Sequence, residues 1–516
     1  MAAGLAVILR SATMRTVLVR CTGLVAAIIV SCASLPVTAG DRIPASVTAA
    51  LKAVDIPQSA VALVVQNVDA RQPQLAVNAE RPMNPASVMK LLTTYAALDL
   101  LGPAYTWKTE ASATAWPVDG RLAGDLYLKG SGDPKFTLEQ FWLLLRQLRA
   151  RGVREISGDL VVDNNAFDVR NETPAPFDDK PLRPYNVTPD ALLLNFKTLQ
   201  LTLVPDSVRN KVDALPEPRL DNLEIVNQIR LEGTECGEWK DTLQAEFVGA
   251  PPFDGDTRTG AGRSANRAEG GAPTMPQYPR LTLSGSYAVD CGEKGWNLAV
   301  LSHTEYIDAV FRQLWQELGG EFHGVVRQGT APIEGRLLAV SESPSLSEIV
   351  RDINKVSNNV MARQLYLTLG VDVHRRAASP ADAEAVIRTW LAVKGINIPE
   401  LVLENGAGLS RRERISAFSL AKLLQSAWSS PLMPELMASM PLVAVDGTMK
   451  KRLKDRSVGG QAHIKTGSLD EVKTMAGYVR DKSGHYKIVV FLINHPKAEA
   501  GQAAQDALLE WVYEAR

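Results

Sequence analysis

The 516-residue sequence is poor in histidine and cysteine, and this shortage excludes several kinds of hydrolase site. None of its six histidines is followed by glutamate, so the zinc-binding pattern H-E-x-x-H is absent. The nucleophile pattern G-x-S-x-G of the α/β hydrolases is absent as well. A histidine-dependent serine hydrolase could use His463, but the position of this residue in a predicted strand favours a structural role. The sequence therefore predicts no metal centre and no cofactor.

Long charged runs of one sign are also missing, since the formal net charge is −1 and no long basic run occurs. Nucleic acid is therefore not a predicted partner. Near the N-terminus, three arginines precede an apolar run at residues 24–30, which is short for a membrane-spanning helix. Small residues follow up to Ala39, so we predict a cleavable signal peptide at 1–39, an exported protein and no stable membrane span. Removing this segment changes the net charge to −4. The alternatives are a membrane anchor and a lipid anchor at Cys32.

Only four cysteines are present, and two of them, Cys21 and Cys32, fall in the predicted signal. The remaining pair, Cys236 and Cys291, predicts a disulfide because exported proteins meet an oxidising environment. Two free thiols are the alternative. The pair brackets residues 249–280, which are rich in glycine and proline and hold almost no large apolar side chains. This composition predicts a flexible surface loop.

The sequence does contain a candidate nucleophile, Ser87, which is followed three residues later by Lys90. The residues after Ser87 are apolar at nearly every helical position up to a breaker at 102–103, which predicts a buried helix beginning near Pro85. Lys90 then lies on the same helical face as Ser87. A serine hydroxyl needs a base, and a lysine can act as one if burial and a nearby cation such as Lys465 lower its pKa. Alone, the pattern is common in helices.

Two further motifs follow in order, S-x-N at Ser357 and Asn359 and K-T-G at Lys465–Thr466–Gly467. The first is predicted on a turn between two helices, where ordinary loop capping is the alternative. The second ends a strand at 461–464 and precedes two strand-like runs, 473–479 and 486–494, that are predicted to pair antiparallel. A glycine at the strand edge allows close approach of a substrate backbone.

Together the three motifs resemble those of the class C low-molecular-mass penicillin-binding proteins, which are D-alanyl-D-alanine carboxypeptidases and endopeptidases. The resemblance covers most of the chain after residue 40. Further matching segments are 128–134, 191–196, 405–410 and 445–448. The chain departs from the family pattern at Asn405 and Ala407, where aspartate and serine are more usual.

The resemblance implies a role for each motif residue in acyl transfer. Ser87 would attack the carbonyl of the penultimate D-alanine, and Lys90 would accept its proton. Ser357 would relay a proton to the departing amine, while Asn359 would bind the peptide and orient Lys90.

For the last motif, the resemblance implies that Lys465, Thr466 and Ser468 bind the terminal carboxylate of the substrate, beside Gly467. The backbone N–H groups of Ser87 and Ser468 would form an oxyanion hole, which commonly contributes roughly 3–4 kcal/mol per donor.

The chain is too long for one core, and 270 residues separate Ser87 from Ser357. The fold class that the resemblance implies is α/β multidomain. A penicillin-binding transpeptidase/β-lactamase-like domain, with an antiparallel sheet and helices on both faces, would carry two nested accessory domains. We expect catalytic segments at 40–104 and 300–516, with the insertion at 105–299.

The leading hypothesis is a periplasmic serine DD-peptidase that acts on peptidoglycan stem peptides and cross-links and is inhibited by β-lactam antibiotics. One alternative is a serine β-lactamase, for which Glu404 is a positional candidate for the deacylating base. The other is a catalytically idle wall-binding protein, which has no need of three intact motifs.

Overall fold

The computed structural model describes residues 42–169, 177–249 and 279–515. The predicted signal peptide with Cys21 and Cys32, and nearly all of the predicted loop 249–280, lie outside these ranges. In the described ranges the α-helices are α1 (Ala45–Ala53), α2 (Lys90–Leu101), α3 (Leu138–Ala150), α4 (His303–Glu317), α5 (Leu346–Val356), α6 (Asn359–His374), α7 (Pro380–Val393), α8 (Ala417–Trp428), α9 (Met433–Ser439) and α10 (Gln502–Glu514).

The strands lie in runs between these helices. They are β1 (Val61–Asn67), β2 (Leu75–Val77), β3 (Lys108–Ala113), β4 (Arg121–Leu122), β5 (Leu126–Gly130), β6 (Glu155–Ile156), β7 (Leu160–Asp163), β8 (Leu199–Asp206), β9 (Lys211–Glu217), β10 (Glu224–Leu231), β11 (Leu243–Val248), β12 (Arg280–Tyr287), β13 (Lys294–Leu298), β14 (Glu321–Phe322), β15 (Val326–Gln328), β16 (Arg336–Glu342), β17 (Ala462–Leu469), β18 (Val472–Arg480) and β19 (Tyr486–Asn494). The longest run, β6 to β13, separates α3 from α4.

One five-stranded sheet, here called the terminal sheet, joins the two ends of the chain in the order β17-β18-β19-β1-β2. All its pairings are antiparallel, and Leu63 lies opposite Phe491. The central strands are buried on both faces, so successive residues alternate between two cores. Leu63 and Phe491 pack with α1 and α10, whereas Val64 and Val490 pack with α2, α6 and α8. The terminal sheet confirms the predicted fold class of an antiparallel sheet with helices on both faces.

The segment between β3 and β16 builds separate sheets with a separate core. Its largest sheet has the order β15-β7-β5-β3-β16, and two three-stranded sheets have the orders β13-β8-β9 and β10-β12-β11. The apolar core of these sheets is drawn from residues 111–339 and includes Phe311 and Trp315 of α4. Cys236 and Cys291 form the predicted disulfide at its edge.

The ends of this segment meet, because the N–H of Ser343 donates to the carbonyl oxygen of Trp107 at 3.0 Å. Strand β16 pairs with β3, and β15 pairs with β7, so these two strands belong to the inserted sheets. Helix α4 packs in the same inserted core. The expected second boundary at residue 300 therefore falls inside the inserted core. We propose 108–342 as the inserted segment.

Among the described residues, no helix combines the length and the apolar character that crossing a membrane requires.

Candidate active site

Ser87 lies in a short 3-10 turn, Ala86–Met89, directly before α2. The predicted continuous helix from Pro85 is wrong at this point because Ala86 has a left-handed backbone with φ of 46°. The side chain of Asn84 stabilises this conformation by accepting the N–H of Ala86 at 2.9 Å. The turn is also tied to the terminal sheet, since Thr474 of β18 donates to the carbonyl of Pro85 at 2.7 Å. These contacts hold the serine in front of α2 rather than within it.

Lys90, the first residue of α2, has no exposed surface and directs its ammonium nitrogen at three acceptors. Its Nζ lies 2.9 Å from Ser87 Oγ, 2.6 Å from Asn359 Oδ1 and 2.5 Å from the carbonyl oxygen of Ala407. The predicted serine–lysine contact is therefore present. Burial lowers the pKa of Lys90 well below its ordinary value, the positive charge of Lys465 lowers it further, and Glu413 opposes both effects. A buried amine of this kind can take up a proton from a serine hydroxyl.

The S-x-N motif lies on the predicted turn between two helices, α5 and α6. Ser357 ends α5 in a left-handed conformation with φ of 58°. Asn358 then caps α6 by accepting the N–H of Met361 at 3.0 Å. This turn directs Ser357 and Asn359 toward two different lysines, because Ser357 Oγ lies 2.9 Å from Lys465 Nζ.

Lys465 of β17 is also fully buried, and desolvation lowers its pKa to about 7. Its ammonium group donates to Ser357 Oγ and to the carbonyl of Thr466 at 2.7 Å. Thr466 itself is hydrogen-bonded to Thr448, in the segment 445–448. Ser468 is exposed and lies 3.2 Å from both Lys473 Nζ and Glu499 Oε2.

Gly467 is required by the packing of β17 against the nucleophile turn. A Cβ atom there would lie 2.3 Å from Thr474 Oγ1, 2.8 Å from the carbonyl oxygen of Pro85 and 2.9 Å from the backbone nitrogen of Ser87. The sequence argument expected glycine to make room for a substrate, whereas in the structure its immediate neighbours belong to the protein itself. The strand edge and the serine are held together by this contact.

The sequence analysis missed Glu413, which is completely buried behind Lys90. Its Oε1 accepts the backbone N–H groups of Glu404 and Asn405, both at 3.0 Å. This contact holds the loop 404–410, whose Ala407 carbonyl accepts from Lys90. Burial raises the pKa of Glu413, and the charge of Lys90 opposes that effect. Glu413 stands between arginines in the sequence and looks like part of a charged surface; only the match at 405–410 pointed to this neighbourhood.

Glu404, the positional candidate for a deacylating base, has other partners. One of its carboxylate oxygens pairs with Arg412 at 2.8 Å, and the other accepts a short hydrogen bond from the hydroxyl of Ser410. His463, the alternative base, lies on β17 with its Nδ1 buried and without a hydrogen-bond partner among the described residues. Within the part of the chain that the structure describes, neither side chain forms a hydrogen bond or ion pair with Ser87.

The pocket in front of the serine has a volume of about 350 Å³. Ser87, Asn359 and Ser468 line it from the part of the molecule around the terminal sheet. Asp178 and Tyr185 line it from the inserted segment, and the Tyr185 hydroxyl donates to Asp178 at 2.5 Å. This hydrogen bond, with another from Asn186, lowers the pKa of Asp178 although burial opposes it. The pocket is therefore built from both parts of the chain.

A helix-covered antiparallel sheet, with a buried S-x-x-K lysine beside S-x-N and K-T-G, defines the class of penicillin-recognising proteins. The chain belongs to the D-Ala-D-Ala carboxypeptidase 3 (S13) family, whose model matches residues 43–251 and 258–515. This match confirms the predicted resemblance and the enzyme class, a serine-type D-Ala-D-Ala carboxypeptidase.

Two proteins that this chain resembles are both named D-alanyl-D-alanine carboxypeptidases. The D-alanyl-D-alanine carboxypeptidase of Actinomadura sp. (strain R39) is 27% identical over 436 residues, which cover 82% of this chain and 76% of the relative. The carboxypeptidase DacB of Haemophilus influenzae is 23% identical and covers 84% of this chain and 85% of its own. The crystal structure of penicillin-binding protein 4 (DacB) from H. influenzae superposes with a TM-score of 0.73 at 22% identity, covering 91% and 99% of the two chains. That protein has also been solved with a bound β-lactam.

Proposed function

We propose that the chain is a secreted serine DD-peptidase that cleaves peptidoglycan stem peptides through an acyl-enzyme on Ser87. The observation that carries this proposal is the 2.9 Å contact between Ser87 Oγ and Lys90 Nζ, made by a lysine with no exposed surface. Lys90 in its neutral form accepts the proton of Ser87 as Oγ attacks the carbonyl of the penultimate D-alanine. Asn359 and the Ala407 carbonyl orient the amine during this step.

The second step releases terminal D-alanine. Ser357 gives a proton to the departing amine and is resupplied by Lys465, which donates to it at 2.9 Å. The proton that Lys90 took from Ser87 then passes through solvent to Lys465, so Lys90 is neutral and Lys465 is charged again. A water attacks the ester carbonyl, Lys90 accepts the water's proton, and Lys90 gives that proton to Ser87 Oγ as it leaves. The backbone N–H groups of Ser87 and Ser468 stabilise the negative oxygen; the tight packing of Gly467 on Ser87 N supports their adjacency.

The substrate carboxylate binds where positive charge and hydroxyl groups converge. Protonated Lys465, Thr466 and Ser468 supply these groups. The ammonium of Lys473 lies 3.2 Å from Ser468 Oγ and is itself paired with Glu499 at 2.6 Å. A carboxylate held by charge-assisted hydrogen bonds fixes the scissile bond relative to Ser87. This requirement favours substrates that end in a free D-alanine and drugs that carry an equivalent carboxylate.

Cleavage of cross-links and a periplasmic location are parts of the same proposal. The open pocket, lined from two parts of the chain, supports acceptance of a longer peptide. The Cys236–Cys291 disulfide supports export, because such bonds persist outside the cytoplasm. We infer a signal peptide cleaved after Ala39, with lipidation of Cys32 as the alternative. The β-lactamase alternative loses support because Glu404 is engaged by Arg412 and Ser410.

The test is intact-mass measurement of the purified protein over hours with penicillin. The wild-type chain should gain one stable adduct, and Ser87→Ala should gain none, because no other hydroxyl contacts Lys90 Nζ among the described residues. Ser483→Ala, in the turn between β18 and β19, is the matched control and should be labelled normally. Labelling of Ser87→Ala would refute the nucleophile. An adduct that vanishes within seconds while the drug is consumed would favour the β-lactamase.

A further inference from the structure

A second and larger cavity, here called the insertion cleft, lies between the S-x-N turn and the inserted segment. Its volume is about 1310 Å³, against about 350 Å³ for the pocket at Ser87. The insertion cleft is lined by the start of α3, by β8 and β13, by the end of α4 and by residues 356–360. The terminal D-Ala-D-Ala group is much smaller than this volume. Some other part of a larger ligand can occupy it.

The insertion cleft adjoins the active site, because the two cavities share lining residues. Asn359 and Tyr185 line both of them, and Ser357 lines the insertion cleft while accepting from Lys465. A polymer held at Ser87 can therefore extend toward the insertion cleft past the S-x-N turn.

The floor of the insertion cleft carries a pair of exposed amide side chains. Gln200 of β8 and Asn297 of β13 are direct cross-strand partners, so their side chains emerge on the same face. Amide groups donate and accept at once, which suits a ligand that presents hydroxyl and acetamido groups.

The wall formed by α3 adds an aromatic surface. Trp142 is half-buried, with the guanidinium of Arg146 4.9 Å from its ring centroid, and the neighbouring Leu143 is 51% exposed. The guanidinium of Arg146 lies over one face of the Trp142 ring, so a sugar ring would pack its C–H face against the opposite face.

Charge in the insertion cleft is nearly balanced. Two basic residues, Arg183 and Lys240, line it together with three acidic ones, Glu139, Glu217 and Glu317. No single sign dominates, so the electrostatic pattern fits a ligand of little net charge rather than a polyanion or a strongly basic peptide.

Length links this chemistry to the substrate. A stem peptide of about five residues spans at most roughly 17 Å when extended. The sugar to which it is attached must therefore lie within that distance of Ser87 when the peptide is bound. The insertion cleft, which opens at Asn359 beside the serine, is a cavity within such reach.

We propose that the insertion cleft binds the N-acetylated glycan chain of peptidoglycan, through Trp142 and the Gln200–Asn297 amide pair. This proposal rests on the proposed function for its choice of polymer. It makes the inserted segment a substrate-binding element that distinguishes intact wall polymer from short free peptides.

The direct test is binding of peptide-free peptidoglycan glycan chains to the full-length protein, measured by calorimetry. Wild type should bind, and Trp142→Ala should raise the dissociation constant about tenfold, since a stacked aromatic side chain contributes binding energy on this scale. Gln200→Ala/Asn297→Ala should weaken binding similarly. The matched control is Trp116→Ala, because Trp116 is 50% exposed with Arg151 over its ring at 5.8 Å and lies outside the insertion cleft.

A kinetic test uses the ratio of kcat/KM on glycan-linked stem peptides to kcat/KM on a free D-Ala-D-Ala tripeptide. This ratio should fall about tenfold in Trp142→Ala and stay unchanged in Trp116→Ala. The proposal would be overturned if wild type did not bind the glycan, or if Trp142→Ala bound it as tightly as wild type. It would also be overturned if a cross-linked peptide without sugar displaced the bound glycan. Because glycan binding requires no catalysis, its outcome is independent of penicillin labelling at Ser87, which tests the proposed function separately.

Discussion

Two lysine side chains, Lys90 and Lys465, face the site without any exposed surface, and their ionisation states must differ for the proposed chemistry to work. Lys90 must be neutral to accept a proton, and Lys465 must be protonated to bind a carboxylate. Burial lowers both pKa values, and the charge of Lys465 lowers that of Lys90 further. Protonation of one lysine therefore favours the neutral form of the other, which is the arrangement the reaction needs.

The first residue-scale prediction concerns pH. Since the pKa of Lys465 is about 7 in the free protein, kcat/KM on D-Ala-D-Ala peptides should fall as the pH rises above 7 and Lys465 loses its proton. Lys465→Arg keeps its charge and should move this alkaline limb upward, even if its overall rate is lower. Steady-state pH profiles of both proteins measure the effect. An alkaline limb near pH 7 that persists in Lys465→Arg would assign it to another group.

The second residue-scale prediction concerns Glu413, a positioning residue that acts on Lys90 through the loop 404–410. Glu413→Gln keeps an oxygen to accept the N–H groups of Glu404 and Asn405 but removes the negative charge. Because that charge raises the pKa of Lys90, its loss should shift the acidic limb of penicillin acylation to lower pH. Stopped-flow acylation rates across pH provide the measurement.

Glu413→Ala is the comparison for this variant. It leaves two part-buried N–H groups without their acceptor, at a cost of up to roughly 1–3 kcal/mol each, and should lower both stability and acylation rate. An unchanged acidic limb in Glu413→Gln would limit Glu413 to a structural role.

At the scale of elements, the sequence predicted the pieces of the site better than their local geometry. The terminal meander, the turn at Ser357 and the contact between Ser87 and Lys90 follow from apolar periodicity and breakers. The left-handed Ala86 does not, because it depends on Asn84 and on Thr474, which lies far away in the sequence. A contact between residues that are distant in the sequence, such as Thr474 with Pro85, produces no local sequence pattern from which it could be predicted.

The inserted segment contains the element-scale prediction, which concerns the disulfide between Cys236 and Cys291. Replacing both residues with serine should lower the free energy of unfolding by about 2–4 kcal/mol, since the cross-link restricts the unfolded chain. Penicillin labelling at Ser87 should be unchanged, because the bond belongs to the inserted core. Denaturant unfolding, with intact mass of the unreduced protein as the control, checks both parts. If the folded variant lost penicillin labelling, the active site at Ser87 would depend on the disulfide, contrary to this prediction.

Across the whole molecule, the site unites residues that are up to 381 positions apart in the sequence, Ser87 and Ser468. The order of the motifs allowed this assembly to be predicted, since each lies at the end of an element. The insertion was expected to end at residue 299, whereas the proposed boundary lies at 342, because α4 and β16 show no sequence sign of which sheet they join. Pairing of β16 with β3 decides that question in the structure.

The last prediction follows from the meeting of Trp107 and Ser343. Their hydrogen bond precedes the pairing of Lys108 with Glu342, so a two-residue Asn-Gly turn can join position 107 to 343 in place of the insertion. Removing 108–342 exposes Val360 and Leu367 of α6, which pack on inserted residues, so both should be changed to glutamine. We expect this shortened protein to unfold cooperatively and to be acylated by penicillin.

Its affinity for stem peptides should fall, because Asp178 and Tyr185 leave the pocket with the insertion. Glycan binding should be lost for the same reason, since Trp142, Gln200 and Asn297 leave as well. Circular dichroism, intact mass with penicillin and calorimetry separate these outcomes. A shortened protein that fails to fold would refute the proposed boundaries at 107 and 343. One that folds but stays unlabelled would mean that the insertion holds the serine–lysine pair in its reactive geometry, and the nested segment would then belong to the catalytic machinery itself.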